Sequence, residues 1–453
     1  MAGQRVTVVG AGMSGVAAAL LLARRGARVT LTDRRPTLKD ASALRAAGVD
    51  LELGGHRSDT LAGSDLVVIS PGVPPAQPAI DAAKRAGVPI IGELELASRW
   101  LRGRIVAITG TKGKSTTTTL TGRMCEAAGL KVHVGGNIGT PLSAQVEAST
   151  PDALHVVETS SFQLEGTVTF HPWIAVLLNL TADHLDRHAS VEDYAGAKAR
   201  IFANQTEQDW AVVNADDPQA LAMARAGRAR RFFFSPEGRI PEGMVITGTV
   251  IALRTMDGDT PLIPVSAVRL IGRHLLADVV AAAAAAHLAG ASGEAMVRAV
   301  ESFTGLEHAL EPVGQVRGVR FVNDSKATNV DAALQAILSF ESGLVPILGG
   351  RFKGGDLREL AQPLSERATA VIAIGEARPI IREALGGTLP IIEAESMAAA
   401  VRAAFGAAPP HGTVLLAPAC ASFDMFADYA ERGRVFKEEV RRLADDQVLT
   451  REQ

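Results

Sequence analysis

The chain has 453 residues, of which 47% are hydrophobic and 21% charged, a globular composition long enough for two to four folding units that excludes a disordered or fibrous chain. Its 46 basic and 49 acidic side chains leave a formal net charge of -3, so nothing electrostatic points to nucleic acid or an anionic membrane as partner. Cys125 and Cys420 lie far apart without ligand-spaced companions, which indicates neither a disulfide framework nor structural zinc.

The first residues run directly into an apolar strand at 6–9 without a signal-peptide pattern, so a cytoplasmic location is expected. That strand leads into Gly10-Ala11-Gly12-Met13-Ser14-Gly15 and an Ala/Leu helix, and Asp33 closes the next strand. This is the dinucleotide fingerprint in its required context: glycines let the backbone approach a pyrophosphate and the helix N-terminus favours its charge. Taken alone, the loop suggests an NAD or FAD enzyme, or a tight packing turn that binds nothing. A buried strand at 66–69 then gives way to Ser70-Pro71-Gly72-Val73-Pro74, a stiff turn at the strand edge where ligands of open sheets bind.

A further strand at 105–108 opens into Thr109-Gly110-Thr111-Lys112-Gly113-Lys114-Ser115-Thr116 and another helix. Strand, glycine turn, Lys-Ser and helix make a phosphate loop, with backbone N–H groups around phosphate, Lys114 neutralising it and Ser115 able to ligate magnesium. Ile108 stands where the ordinary pattern has glycine, so the loop is a shortened variant. Two nucleotide-type loops in one chain disfavour a simple dehydrogenase and imply a second phosphate substrate. Val/Ile runs continue at 156–157, 174–178 and 212–213, and residues 244–270 read as a small antiparallel excursion. The apolar run at 279–286 is too short to span a membrane and reads as a buried helix. Strand-like runs resume at 345–348, 370–374 and 414–417. This alternation predicts an α/β protein of parallel sheets, with boundaries near residues 98 and 301.

The loop at 109–116 resembles that of the Mur ligases and folylpolyglutamate synthetases. Gly135-Gly136-Asn137-Ile138-Gly139, Glu158-Thr159-Ser160-Ser161-Phe162-Gln163-Leu164, Asp183-His184-Leu185-Asp186-Arg187-His188 and Tyr194-Ala195-Gly196-Ala197-Lys198 follow in that family's order. Asn323-Asp324-Ser325-Lys326-Ala327-Thr328-Asn329 and Ala419-Cys420-Ala421-Ser422-Phe423-Asp424-Met425-Phe426, followed by Arg432-Gly433, are similar to the branch that adds D-glutamate. The resemblance covers essentially the whole chain.

It implies three domains: a Rossmann-like N-terminal domain (1–98) for a UDP-linked substrate, a central P-loop ATPase-type domain (99–301) and a C-terminal Rossmann-like domain (302–453) for D-glutamate. The implied substrates are UDP-N-acetylmuramoyl-L-alanine, D-glutamate and ATP, joined through an acyl phosphate, with two Mg2+ sites, no nucleic acid or membrane, and a monomeric chain. By resemblance, Met13, Ser14 and Gly15 face the diphosphate, Asp33 and Arg35 the uracil, Ser70, Pro71 and Gly72 the adjoining carrier, and Asn137 and His184 its muramoyl-alanine end. ATP falls to Gly110, Thr111, Lys112, Gly113, Lys114, Ser115, Thr116, Asp278, Asp324 and Lys326. Thr328, Lys353, Ser422, Phe423 and Tyr429 frame D-glutamate. Lys114, Glu158, His184 and Lys198 are the implied catalytic set, and Ser115, Glu158, His184 and a carbamylated Lys198 the metal ligands. From composition alone, Lys198 would be a solvated charge. The sequence departs from the family at Leu275 and Asp278, where asparagines are usual, and at Ala309, where arginine is usual. All three bear on ATP.

Overall fold

The computed structural model describes residues 1–181, 187–225, 227–270 and 273–449. It forms two compact units, Met1–Val268 with Ala277–Ser302, and Arg269–Leu276 with Phe303–Gln453.

The first unit contains two sheets. One has β1 (Arg5–Val9), β2 (Arg28–Asp33), β3 (Val49–Leu53), β4 (Leu66–Ile69) and β5 (Ile90–Gly92), all parallel in the order β3-β2-β1-β4-β5. The order reverses at β1 and β4, and ligands of open sheets bind where that happens. The helix Glu93–Ser98 leads out of this sheet with both glutamates buried. Glu93 accepts from the Ser143 N–H at 2.6 Å. Glu95 accepts from the N–H groups of Val168, Thr169 and Phe170. Backbone donors thus compensate for taking Glu95 out of water.

The second sheet holds β6 (Arg104–Thr109), β7 (Lys131–Gly136), β8 (Ala153–Glu158), β9 (Ile174–Leu177), β10 (Trp210–Asn214), β11 (Arg230–Ser235), β12 (Gly243–Thr247), β13 (Val250–Thr255) and β14 (Gly258–Pro264). Its order is β14-β13-β12-β11-β10-β9-β6-β8-β7. The central strands are continuous runs such as Ile-Ala-Val-Leu in β9, all buried, as expected for parallel strands covered on both faces. The excursion read at 244–270 is present: β12, β13 and β14 pair antiparallel. The Ala-rich run lies in the helix Arg273–Leu288, and residues 279–286 are fully buried. No described helix is long and apolar enough to cross a membrane.

The second unit is built on β15 (Glu311–Val316), β16 (Val319–Asn323), β17 (Leu344–Gly349), β18 (Val371–Ile374), β19 (Ile391–Glu393) and β20 (Thr413–Leu416), ordered β15-β16-β20-β17-β18-β19. Only the β15–β16 pair is antiparallel. Apolar clusters lie on both faces of the sheet. Leu275, where asparagine is usual, packs against one of them.

Candidate active site

The phosphate loop follows β6 because β6 ends beside β8 and β9, with Ile108 opposite Glu158 and Thr109 opposite Leu177. Gly110 has φ 158° and Gly113 φ 83°, backbone conformations that side chains resist. The loop is held from below by a residue that none of the sequence motifs contains. Asn179, two residues past β9, accepts from the N–H groups of Thr111 and Lys112 through its Oδ1, at 3.1 and 2.9 Å. Its backbone carbonyl accepts from Thr111 N at 3.0 Å. The available signal was its place at the carboxyl end of the neighbouring strand. Lys114 Nζ donates to the carbonyls of Gly110 and Thr111 at 3.1 and 2.8 Å. That folds it back over the loop where phosphate oxygens would replace the carbonyls.

Lys198 is only 1% exposed, so it is not the solvated charge that composition alone suggests. Its Nζ donates to Gly110 O at 2.7 Å and lies 4.6 Å from the centre of the Tyr194 ring. The Tyr194 hydroxyl donates to Thr111 Oγ1 at 3.2 Å. One helix, Val191–Ala199 with Ser190 as its cap, therefore presses two side chains onto the phosphate loop. Glu158 is buried at the end of β8. Its Oε1 accepts from Asn137 Nδ2 at 2.7 Å, while its Oε2 has no hydrogen-bond partner among the described residues. A buried, half-satisfied carboxylate beside a phosphate loop suits a cation, since such a group is costly when left alone. Among the described residues no group of three His, Cys, Asp or Glu side chains could hold a metal. Mg2+ needs no such cage: one or two protein oxygens with phosphates and water suffice, and Ser115 and Glu158 offer those. His184 lies outside the described residues.

Asp278 packs directly on the loop. A Cβ at Gly113 would stand 2.0 Å from its Oδ1, so only glycine tolerates that neighbour. The carboxyl is buried and its Oδ2 has no hydrogen-bond partner among the described residues. Burial outweighs the attraction of Lys114 and pushes it up to about 7. It is thus neutral below that pH and ionised above it, where its charge would oppose any phosphate held by the loop. The KM for ATP should therefore climb as pH rises through about 7 and level off once the carboxyl is ionised. Asp278→Asn should flatten the profile and lower the KM at high pH. A wild-type profile already flat over this range would contradict the assignment.

At the first glycine loop, the Asp33 carboxylate accepts from Ala11 N at 2.6 Å and from Arg35 N and Nε at 2.8 and 2.9 Å. The Arg35 guanidinium holds it well below the usual carboxylate range. Arg35 also donates to Ala11 O, so the pair shapes the loop's rim. Gly15 is a packing requirement: its Cβ would fall 1.8 Å from Gly10 O. Ser70 Oγ donates to that same carbonyl at 2.8 Å, joining the Ser70-Pro71-Gly72 turn to the first loop. Met13 is exposed. Met13, Ser14, Gly15, Asp33, Arg35 and Ser70 to Gly72 therefore gather at the carboxyl edge of β1, β2 and β4.

In the second unit, Arg432 is buried and donates to Ser325 Oγ and O at 2.9 Å each and to Cys420 O at 3.0 Å. Burial depresses it to about 10. It draws together the loops carrying Asp324, Lys326 and Thr328 on one side and Ser422 on the other. Lys353 Nζ donates to Thr328 Oγ1 at 3.4 Å, and Ser325 Oγ to Tyr429 O at 2.7 Å. Phe423 and Tyr429 are exposed. Asp324 accepts from Leu310 N at 3.1 Å and burial pushes it up to about 7. Ala309 sits between His308 and Leu310, both at positive φ.

Three family descriptions match this arrangement in order: the Mur ligase MurD-like N-terminal domain over residues 4–92, the Mur ligase middle domain over 108–286 and the Mur ligase glutamate ligase domain over 310–420. The chain belongs to the Mur ligase family. Among its relatives, the UDP-N-acetylmuramoylalanine--D-glutamate ligase of Acidobacterium capsulatum is 48% identical over 441 residues, covering 96% of each chain. That of Koribacter versatilis is 42% identical, covering 98% of this chain and 99% of the relative. Solved Mur ligases share the fold. UDP-N-acetylmuramate-alanine ligase MurC from Thermotoga maritima aligns with TM-score 0.63 at 18% identity, over 97% of this chain and 99% of that one. MurF ligase from Thermotoga maritima in complex with ADP aligns with TM-score 0.60 at 17% identity, over 98% and 96%.

Proposed function

We propose that this Mur ligase joins D-glutamate to UDP-N-acetylmuramoyl-L-alanine at the expense of ATP, in the cytoplasm and as a monomer, as a step of peptidoglycan precursor synthesis. The observation that carries the reading is near-full-length identity of 42 to 48% to ligases of that name, together with a phosphate loop whose Lys114, Lys198 and Glu158 converge at one sheet edge. The N-terminal region to residue 98 takes the UDP-linked carrier, residues 99–301 take ATP, and residues 302–453 take the amino acid.

The L-alanine carboxylate oxygen attacks the γ-phosphorus and ADP leaves. The neutral D-glutamate amine then attacks the carbonyl carbon, the C–O bond to phosphate breaks and phosphate leaves, and the nitrogen loses one proton to give the amide N–H. Such phosphoryl transfer is mainly positioning and charge neutralisation. Gly110 to Thr116 supply N–H donors and Lys114 the cation. Ser115, Glu158 and His184 would hold Mg2+, with a carbamylated Lys198 as oxygen donor to a second ion, and the metal would supply neutralisation of phosphate charge. Asn137 and His184 meet the acceptor end of the carrier, and Asp278, Asp324 and Lys326 meet the nucleotide. Thr328, Lys353, Ser422, Phe423 and Tyr429 receive D-glutamate, whose two carboxylates suit a lysine and hydroxyls. Phosphate release should require carrier, ATP and D-glutamate together. Equal release with any one omitted would contradict the scheme.

A further inference from the structure

Arg187 belongs to the Asp183-to-His188 motif, and the proposed reaction gives it no task. Its guanidinium reaches out of the central domain to the turn after β4: Nη1 donates to Pro71 O at 2.7 Å and Nη2 to Val73 O at 3.3 Å. One face of the group lies 4.0 Å from the centre of the Phe162 ring, and Glu165 Oε2 is 3.9 Å from Nη2. The side chain is 17% exposed. A cavity of ≈ 210 Å³ adjoins the turn, lined by Ile69, Pro71, Val73, Phe162 and Arg187 among others. It is smaller than the roughly 300 Å³ at which ligand pockets begin. The guanidinium bonds therefore hold the turn where packing against it is incomplete.

We infer that Arg187 is a positioning residue that sets the carrier-binding turn, Ser70 to Val73, against the helix bearing Lys198. The inference rests on the assignment of the UDP-linked carrier to that turn. An arginine fork can serve two carbonyls at once while its plane stacks on an aromatic ring, and a lysine can do neither fully. The next residue extends the link. His188 Nε2 is 3.0 Å from Ser161 Oγ and its Nδ1 3.2 Å from Glu165 Oε1, fixing the chain just before the Ser190 cap of the helix Val191–Ala199. From that helix Tyr194 and Lys198 touch Thr111 and Gly110. A short run of chain thus connects the turn assigned to the carrier with the phosphate loop.

The test is steady-state kinetics and calorimetric carrier binding for wild type, Arg187→Ala and Arg187→Lys, with thermal melting of each. For Arg187→Ala we expect carrier KM and Kd to rise about tenfold, as losing charge-assisted bonds implies, with the ATP KM within about twofold. Arg187→Lys should restore part of the loss, leaving a rise of about threefold because one donor direction is regained, and it gives the same reading should the alanine variant not fold. A loss of fold integrity alone would raise both Michaelis constants and lower the melting temperature. Carrier affinity unchanged in both variants, or carrier and ATP constants rising in parallel, overturns the inference while the functional reading stands. A wild type that binds no carrier overturns both.

Discussion

Lys198→Ala should lower kcat by about 10² to 10³-fold, the loss typical of removing one pre-placed stabilising group in a site that excludes water. The buried ammonium is held by Gly110 O over the Tyr194 ring. In the proposed scheme, carbon dioxide converts it from a cation into an oxygen donor. Added bicarbonate should therefore not rescue the alanine variant, because no amine remains to be carbamylated, whereas a small carboxylic acid able to enter the vacated space should restore part of the rate. Near-normal turnover by the variant would mean that Lys198 serves packing alone.

Lys114→Ala should remove ATP-dependent chemistry to a similar or greater extent, about 10³-fold in kcat/KM, since a cation placed on the transferring phosphoryl group neutralises the charge that limits such reactions. Carrier binding should remain within about twofold, because the loops proposed to take the carrier, Gly10 to Gly15 and Ser70 to Gly72, belong to the β1–β5 sheet and are held by Asp33, Arg35 and Ser70. Calorimetry separates the two events. Loss of carrier and ATP binding together in a folded variant would show that the ligands are assigned to the wrong sheets.

The parts of the fold visible in the sequence were those set by local physics. Short apolar runs rich in Val, Ile and Leu became β1, β4, β6, β9 and β20, and both glycine loops fell between a strand and a helix. β15, with a Gly and a Pro in Glu-Pro-Val-Gly-Gln-Val, carries no such run. It is a strand because β16 pairs with it across a bulge between Pro312 and Gly314. Similarly, β3 alternates acidic and apolar residues and is identified by its pairing with β2. In the site, the motifs and the family resemblance named the phosphate loop, Lys198, Asp278 and Arg432, but not Asn179, nor what Asp278 and Arg432 touch. Asn179 lies 67 residues from Lys112, and Asp278 reaches Gly113 through the packing of a distant helix. Arg432 stands on yet another helix, Tyr429–Leu449. Such contacts depend on tertiary closure, which spacing along one chain does not encode.

The roles proposed for Thr328, Lys353, Ser422, Phe423 and Tyr429 depend on D-glutamate being the amino acid joined to the carrier. Purified protein should be given UDP-N-acetylmuramoyl-L-alanine, ATP and magnesium with D-glutamate, L-glutamate, L-lysine or a diamino acid in separate reactions, and the product of each identified by mass. Substantial amide product is expected with D-glutamate alone, at the mass of carrier plus amino acid less water. Comparable product with L-lysine or the diamino acid would show that D-glutamate is not the substrate this site selects.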